Sequence, residues 1–220
     1  MDILDSTTAE FLKYKTSEEV DYIPGHPDED PYLFYAIEMD FPEIPTELLT
    51  SVYDTSNAVI LTRGSDRSLT VNDNEYNSAP LRRWSVEDQL TQWVKENVST
   101  GFTNVSVQNI HGGSTHSTLG AHTDRRRRFS LFYLVEEGGN NIQTKWYVEN
   151  GQPIWRDQWI AVTNYRDLNL LHSQRLIPNK WYLFNSRIIH DVDQLISTRK
   201  TVIVGFDRLP KSLDQIARSV

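Results

Sequence analysis

The sequence predicts a mainly β protein with a supporting layer of helices in its N-terminal half. From about residue 103 onward, the chain consists of short runs rich in β-branched and aromatic residues, separated by turn-forming clusters. Before that point, the clearest periodic segments have the spacing of amphipathic helices. We therefore expect a C-terminal β-sandwich or barrel that is covered by N-terminal helices.

Length and composition restrict the class of protein. A chain of 220 residues is long enough to bury one core, and we expect a single domain. The absence of cysteine excludes disulfides, zinc–thiolate sites and cysteine nucleophiles. We find no apolar run typical of a signal peptide or a membrane span, so we expect a soluble, cytoplasmic protein with no membrane partner. A formal net charge of −8 argues against wholesale binding to a nucleic-acid backbone.

Residues 1–102 are expected to form an N-terminal arm and the helical layer. Residues 1–32 are polar, acidic and rich in proline, which predicts an irregular arm. A proline and a threonine cap precede an apolar face in IPTELLTSVYDT, which predicts a short helix near residues 46–54. Turn-forming residues dominate 63–80, where we expect a long exposed loop.

The segment WSVEDQLTQWVKENV gives the strongest helix prediction. It contains a capping-box pattern, with Asp88 three residues after Ser85. Leu90, Trp93 and Val94 then share one helical face. We expect this face to pack against the outside of the β core.

The β core is predicted over residues 103–207, followed by a C-terminal tail at 208–220. Asn150 and Gly151 lie between alternating segments and favour a tight hairpin turn. The predicted strands are VSVQNI, FSLFYLV, IQTKWYV, WIAVTNY, WYLFN and TVIVGF.

A histidine and an aspartate two positions apart indicate a metal site. In an extended strand His122 and Asp124 project to the same face, so both can reach one ion. A third ligand is needed, and the other histidines are the candidates: His26, His111, His116, His172 and His190. His190 is favoured because it follows the strand WYLFN, where a barrel mouth is expected. Two histidines and one carboxylate leave open positions on Fe(II), which suits an enzyme that holds a co-substrate together with O₂.

The strand after His190 contains a candidate anion-binding pair. Alternation places Arg199 and Thr201 on the same face of RKTVIVGF. A buried arginine is costly unless it is paired, so this face calls for an anionic partner such as a ligand carboxylate. The alternative is that Arg199 is an ordinary strand-edge cation beside the acidic turn DVD.

In its ordered motifs the chain resembles the Fe(II)- and 2-oxoglutarate-dependent oxygenases of the double-stranded β-helix fold, and most closely their small prolyl-4-hydroxylase-like branch. The matching features lie within residues 103–207. They are HGG and LGAHTD, the pair His122 and Asp124, the strand FSLFYL, Gly138 and Gly139, the strand WYLFNS, then His190, Arg199 and Thr201. That branch often has tyrosine where this chain has His111.

This resemblance implies a double-stranded β-helix core of the jelly-roll or cupin-like kind and a specific chemistry. His122, Asp124 and His190 would hold Fe(II), and Arg199 with Thr201 would hold the far carboxylate of 2-oxoglutarate. Decarboxylation of 2-oxoglutarate to succinate would be coupled to hydroxylation of a C–H bond, with O₂ as the other partner and ascorbate as the reductant. No catalytic residue is expected beyond the metal ligands. The resemblance implies neither the substrate nor the oligomeric state.

The run Arg125 to Arg128 directly follows Asp124 and has two interpretations. It can attract an anionic substrate to the mouth of the site, or it can neutralise the acidic N-terminal arm of the same molecule. The sequence does not decide between these two interpretations.

Two other functions compete with the oxygenase hypothesis. The first is a non-enzymatic structural or binding protein that keeps the β-helix fold and a vestigial metal site. The second is a cupin-like metalloenzyme that does not use 2-oxoglutarate. Arg199 argues against the second, because such an enzyme has no need of a buried cation two residues from a hydroxyl.

Overall fold

The structure is a computed structural model that describes most of the chain. The described residues are 34–53, 60–63, 68–71, 74–77, 79–86, 88–113, 118–124, 129–150, 164–186, 188–206 and 208–219. The predicted arm, Gly151 of the predicted turn and most of the predicted strand WIAVTNY therefore lie outside them.

The described residues contain twelve strands and three α-helices. The helices are α1 (Thr46–Tyr53), α2 (Asp88–Asn97) and α3 (Lys211–Ala217). The first six strands are β1 (Ala36–Met39), β2 (Ile60–Arg63), β3 (Ser68–Val71), β4 (Asn74–Asn77), β5 (Leu81–Ser85) and β6 (Asn104–His111). The other six are β7 (Phe129–Glu136), β8 (Gln143–Glu149), β9 (Leu168–Gln174), β10 (Lys180–Asn185), β11 (Ile189–Asp193) and β12 (Thr198–Phe206).

The strands form two main antiparallel sheets. The larger has the order β1-β10-β7-β12-β6-β5-β2, and the smaller has the order β11-β8-β9. From β7 to β12 the chain passes back and forth between these sheets, since β7, β10 and β12 lie in the larger and β8, β9 and β11 in the smaller. This winding is the double-stranded β-helix, and the predicted mainly β fold with a jelly-roll core is confirmed.

The outer face of the larger sheet carries the helical layer. Leu90 and Val94 of α2 are buried in one apolar cluster with Val107 of β6 and Val202 of β12, as the helix prediction requires. Trp93 is only partly buried at the edge of this cluster. The helix α3, in the segment predicted to be a tail, adds Leu213 to the same cluster.

Two predicted connections are strands instead. The segment 63–80, predicted to be an exposed loop, contains the antiparallel hairpin of β3 and β4. The residues DVD after His190, predicted to be a turn, belong to β11. In both places the strand forms because its backbone pairs with a neighbouring strand. Such pairing cannot be predicted from a polar sequence that lacks a regular alternation of apolar residues.

The larger sheet also recruits strands from before residue 103. β1 pairs with β10 at one edge, whereas β5 pairs with β6 and β2 pairs with β5 to form the other edge. The first half of the chain therefore contributes to the sheet as well as to the helices. No helix among the described residues is both long enough and apolar enough to cross a membrane.

Candidate metal and co-substrate site

A pocket between the two sheets contains every residue assigned to the site from the sequence. Its walls come from the larger sheet, from the smaller sheet, and from residues 119–124, which run beside β11. The lining residues are Arg83, Gln108, Ile110, Leu119, His122, Asp124, Ser130, Phe132, Thr144, Phe184, Ser186, His190, Val192, Arg199, Thr201 and Ile203.

Backbone hydrogen bonds bring the three candidate ligands together. His122 forms an isolated antiparallel bridge with His190 of β11, and the backbone N–H of Asp124 donates to the carbonyl oxygen of Ser186 at 3.0 Å. One ligand atom from each of His122, Asp124 and His190 lies within 4.8 Å of the other two. Nε2 of His122 is 3.9 Å from Oδ1 of Asp124. The three groups can therefore share one ion.

Each imidazole is oriented by the carbonyl two residues before it. Nδ1 of His122 is 2.8 Å from the carbonyl oxygen of Gly120, and Nδ1 of His190 is 2.8 Å from that of Ile188. A carbonyl oxygen only accepts, so Nδ1 must carry the proton in both rings. In the neutral rings the lone pair is then on Nε2, which is the tautomer that a metal ligand needs.

Aromatic packing fixes the His190 ring further. The ring is buried, and Phe184 meets it edge to face with the centroids 4.7 Å apart. His122 and Asp124 keep side-chain exposures of 17% and 11%, so they lie on the more open side. The donor set, two imidazoles and one carboxylate, fits a divalent first-row metal with open positions.

A buried carboxylate on the other face of β11 supports the strand that carries His190. Oδ2 of Asp191 accepts hydrogen bonds from the hydroxyls of Tyr165, Tyr147 and Thr118 at 2.6, 3.1 and 3.3 Å. Burial raises the pKa of Asp191 to about 7, while the tyrosine hydrogen bonds oppose that rise. These contacts connect β11 to β8 and to the short 3₁₀ helix Tyr165–Asp167, and so fix the strand that carries His190.

Arg199 and Thr201 share the pocket face of β12, as alternation requires. The Arg199 side chain is only 2% exposed, and its Nη1 donates to the carbonyl oxygen of Glu137 at 3.3 Å. Burial lowers the pKa of Arg199 to about 10, with the charge of Glu137 acting in the opposite direction. The carboxylate of Glu137 is itself bound by Arg175, at 2.7 and 3.0 Å. Arg199 therefore contacts the backbone of Glu137 and not its carboxylate. Among the described residues, no carboxylate lies within ion-pair distance of Arg199.

Two buried hydroxyls lie in the same pocket. Oγ1 of Thr201 and Oγ1 of Thr144 are fully buried, and neither has a hydrogen-bond partner among the described residues. A buried polar atom without a partner is destabilising unless a ligand satisfies it. This region of the pocket therefore has the donors that a carboxylate needs.

Sequence reasoning missed Arg83 and Gln108, which line the pocket from β5 and β6. Their inward orientation follows from the alternation of side chains between the two faces of a strand. In β5, Trp84 belongs to the apolar cluster under the helices, so Arg83 must face the other way. In β6, Val107 belongs to that cluster and Gln108 likewise faces inward. What the sequence does not reveal is that β5 and β6 are neighbours.

Of the other histidines, the two that the structure describes, His111 and His172, do not line the pocket. His111 faces away from the pocket, since Gln108 and Ile110 line it from the same strand. It therefore does not occupy a tyrosine-like position in the site, and burial lowers its pKa. His172 stacks on Tyr35 with the ring centroids 4.8 Å apart. His26, His116 and the run Arg125–Arg128 lie outside the described residues.

Solved structures of 2-oxoglutarate–Fe(II) oxygenases are among those similar to this chain. One is an oxidoreductase of the 2OG-Fe(II) oxygenase family from Burkholderia pseudomallei, with 9% identity and a TM-score of 0.43 over 80% of this chain and 89% of that one. Another is a Pseudomonas putida prolyl-4-hydroxylase, with 12% identity and a TM-score of 0.41 over 80% and 94%. Escherichia coli YcfD gives 12% identity and a TM-score of 0.43 over 84% of this chain and 53% of that one, so this chain spans about half of it.

No protein-family model and no curated protein matches the chain. The functional assignment therefore depends on the residues of the pocket themselves.

Proposed function

We propose that this protein is an Fe(II)- and 2-oxoglutarate-dependent oxygenase that hydroxylates a substrate still to be identified. His122, Asp124 and His190 would hold Fe(II), and Arg199 with Thr201 would hold the far carboxylate of 2-oxoglutarate. The observation that carries the proposal is Arg199. It is a buried cation in the same pocket as three potential metal ligands, and among the described residues its hydrogen bond goes to a carbonyl rather than to a carboxylate.

The energetics of Arg199 favour an anionic ligand. Its pKa of about 10 keeps the guanidinium charged at neutral pH. A buried charge that lacks a counter-charge is destabilising by several kcal/mol, and a carboxylate can offset this through charge-assisted hydrogen bonds. A strand-edge cation beside the acidic residues DVD would not be buried in this way, so that alternative is disfavoured.

When bound, Fe(II) and 2-oxoglutarate would supply the oxidative chemistry, in which decarboxylation to succinate accompanies hydroxylation of a C–H bond. The protein supplies binding, orientation and the exclusion of water. Six apolar side chains line the pocket beside these polar groups: Ile110, Leu119, Phe132, Phe184, Val192 and Ile203. They keep the dielectric low around Arg199 and so strengthen its attraction for a carboxylate.

The rival function is a structural or binding protein with a vestigial metal site. Both imidazoles are held in the ligating tautomer. The co-substrate end of the pocket, formed by Arg199, Thr201 and Thr144, keeps a buried charge and two hydroxyls without a hydrogen-bond partner among the described residues. Such polar groups are destabilising in a protein that never binds the ligand. This favours a functional site over a vestigial one.

We further propose that the substrate is anionic. The support comes from the sequence, where four consecutive arginines directly follow the ligand Asp124. A positive segment next to the reacting centre raises the local concentration of an anionic substrate. Neutralisation of the acidic N-terminal arm by the same arginines is the competing explanation.

The test of the proposal is turnover of 2-oxoglutarate. The protein is loaded with Fe(II) under anaerobic conditions and exposed to O₂ with ascorbate, and succinate is measured. We expect slow succinate production without substrate, and none from the His122→Ala variant. A wild-type protein that binds Fe(II) and 2-oxoglutarate yet produces no succinate with any candidate substrate would favour the non-enzymatic alternative.

A further inference from the structure

A row of three polar side chains crosses the larger sheet beside the co-substrate end of the pocket. In the strand register, Arg83 of β5 is opposite Gln108 of β6, and Gln108 is opposite Thr201 of β12. All three line the pocket. Gln108 therefore has Arg83 as its neighbour on one side and Thr201 on the other.

The amide of Gln108 has only one chemically possible orientation toward Arg83. Nε of Arg83 donates to Oε1 of Gln108 at 3.1 Å, and Nη2 of Arg83 donates to the same oxygen. A guanidinium has donors and no acceptor, so it must face the oxygen of the amide and not its NH₂ group. A glutamine in a pocket could otherwise turn either end toward a ligand. Arg83 removes that choice, and the NH₂ group is left for the pocket side.

The result is a set of donors of one kind. Arg199, the NH₂ group of Gln108 and the hydroxyls of Thr201 and Thr144 are all donors on residues that line the same pocket. Gln108 is 7% exposed and so belongs to the interior of the pocket. A carboxylate has two oxygens that accept several hydrogen bonds, and this is the ligand that such a lining fits.

We infer that Gln108 is a further contact of the far carboxylate of the co-substrate, and that Arg83 is a positioning residue that acts through Gln108. This inference rests on the proposed function. It assigns Arg83 no contact with the ligand. The competing role is structural, with the pair only tying β5 to β6.

The decisive variant is Gln108→Glu. A glutamate still accepts from Arg83 and so preserves the contact between β5 and β6, but its second oxygen repels a carboxylate where the NH₂ group donated. Arg83→Leu removes the orienting donors, and Arg83→Lys keeps the charge with a single donor group in place of the fork. Thermal unfolding of each variant reports whether the fold is intact.

The measurement is anaerobic titration of the Fe(II)-loaded protein with two ligands. One is 2-oxoglutarate. The other is 2-oxopentanoate, which has the same chain length and the same metal-chelating end but no far carboxylate. We expect Gln108→Glu to weaken 2-oxoglutarate binding by roughly 10- to 100-fold and Arg83→Leu by about 3- to 10-fold, with Arg83→Lys in between. The affinity for 2-oxopentanoate should stay within about 2-fold of wild type in all three.

The outcomes distinguish a failure of this inference from a failure of the proposed function. If wild type binds 2-oxoglutarate and Gln108→Glu binds it equally well, the inference is overturned and the proposed function stands. If the variants lose affinity for both ligands in proportion to their loss of stability, the pair is structural and the inference is likewise overturned. If the Fe(II)-loaded wild type binds no 2-oxoglutarate at all, the proposed function fails and the inference fails with it.

Discussion

His122 and His190 each donate a backbone hydrogen bond to the carbonyl oxygen of the other, at 3.0 and 2.9 Å. This reciprocal pair holds two imidazoles from distant parts of the chain side by side, with ring centroids 4.6 Å apart. The backbone contact does not involve either ring. The two rings can therefore be removed one at a time without removing the contact that joins their strands.

His122→Ala should strongly weaken metal binding and leave the fold intact. The loss of one of three protein ligands should weaken Co(II) binding on the order of 100-fold or more. Titration followed by the visible absorption of Co(II) measures the affinity, and circular dichroism checks the fold. His111→Ala is the matched control, because His111 faces away from the pocket, and it should bind Co(II) like wild type. Equal affinities in the two variants would remove His122 from the metal site.

Gly112→Ala should destabilise the protein through the turn that leads into β12. A Cβ at Gly112 would lie 2.5 Å from the carbonyl oxygen of Ser197 and 2.7 Å from its nitrogen, so the backbone would have to move. We expect a loss of about 1 to 3 kcal/mol in the free energy of unfolding, measured with urea. Because Ser197 is two residues from Arg199, the affinity for 2-oxoglutarate should fall as well.

Gly101→Ala provides the comparison for this effect. Its φ of +79° makes alanine unfavourable, but the nearest atom to its Cβ is 4.0 Å away, in Pro210. We expect a loss of about 1 kcal/mol in stability and no change in 2-oxoglutarate affinity. If Gly112→Ala also left that affinity unchanged, the turn would have no role in placing Arg199.

Within α2, Leu90→Ala should be more destabilising than Trp93→Ala. Leu90 is 1% exposed within the apolar cluster between α2 and the larger sheet, whereas Trp93 is only partly buried against that cluster. A leucine-to-alanine change at a fully buried position costs about 2 to 5 kcal/mol, and we expect less than about 2 kcal/mol at Trp93. Chemical unfolding of both variants gives the ranking. The reverse order would mean that Trp93 anchors the helix.

The part of the site that could be predicted lies within short extended segments of the chain, where side chains alternate between two faces. Alternation alone places Arg199 and Thr201 on one face of β12, and the spacing of His122 and Asp124 directs both to one point. His190 is favoured because it follows the predicted strand WYLFN. These are local patterns with a period of two, which the fold preserves.

The missing part depended on partners distant in sequence. Asp191 and Asp193 look like turn residues, but in the folded sheet Tyr147 and Tyr165 donate to the carboxylate of Asp191, and Lys145 donates to that of Asp193. Arg83 and Gln108 become one unit only because β5 pairs with β6. Neither relationship has a local signature, so both emerge only from the three-dimensional arrangement.

Binding of 2-oxoglutarate to the Fe(II)-loaded protein under anaerobic conditions tests the proposed co-substrate site. It is followed by the visible charge-transfer band that a chelating 2-oxo acid produces. We expect a saturable band for wild type. Arg199→Met removes the buried charge but keeps much of the apolar stem, so Fe(II) should still bind while 2-oxoglutarate affinity falls roughly 10²- to 10³-fold. Arg199→Lys should recover part of the loss. A methionine variant with wild-type affinity would show that Arg199 does not bind 2-oxoglutarate. A wild-type protein that binds Fe(II) and develops no band would exclude the proposed function.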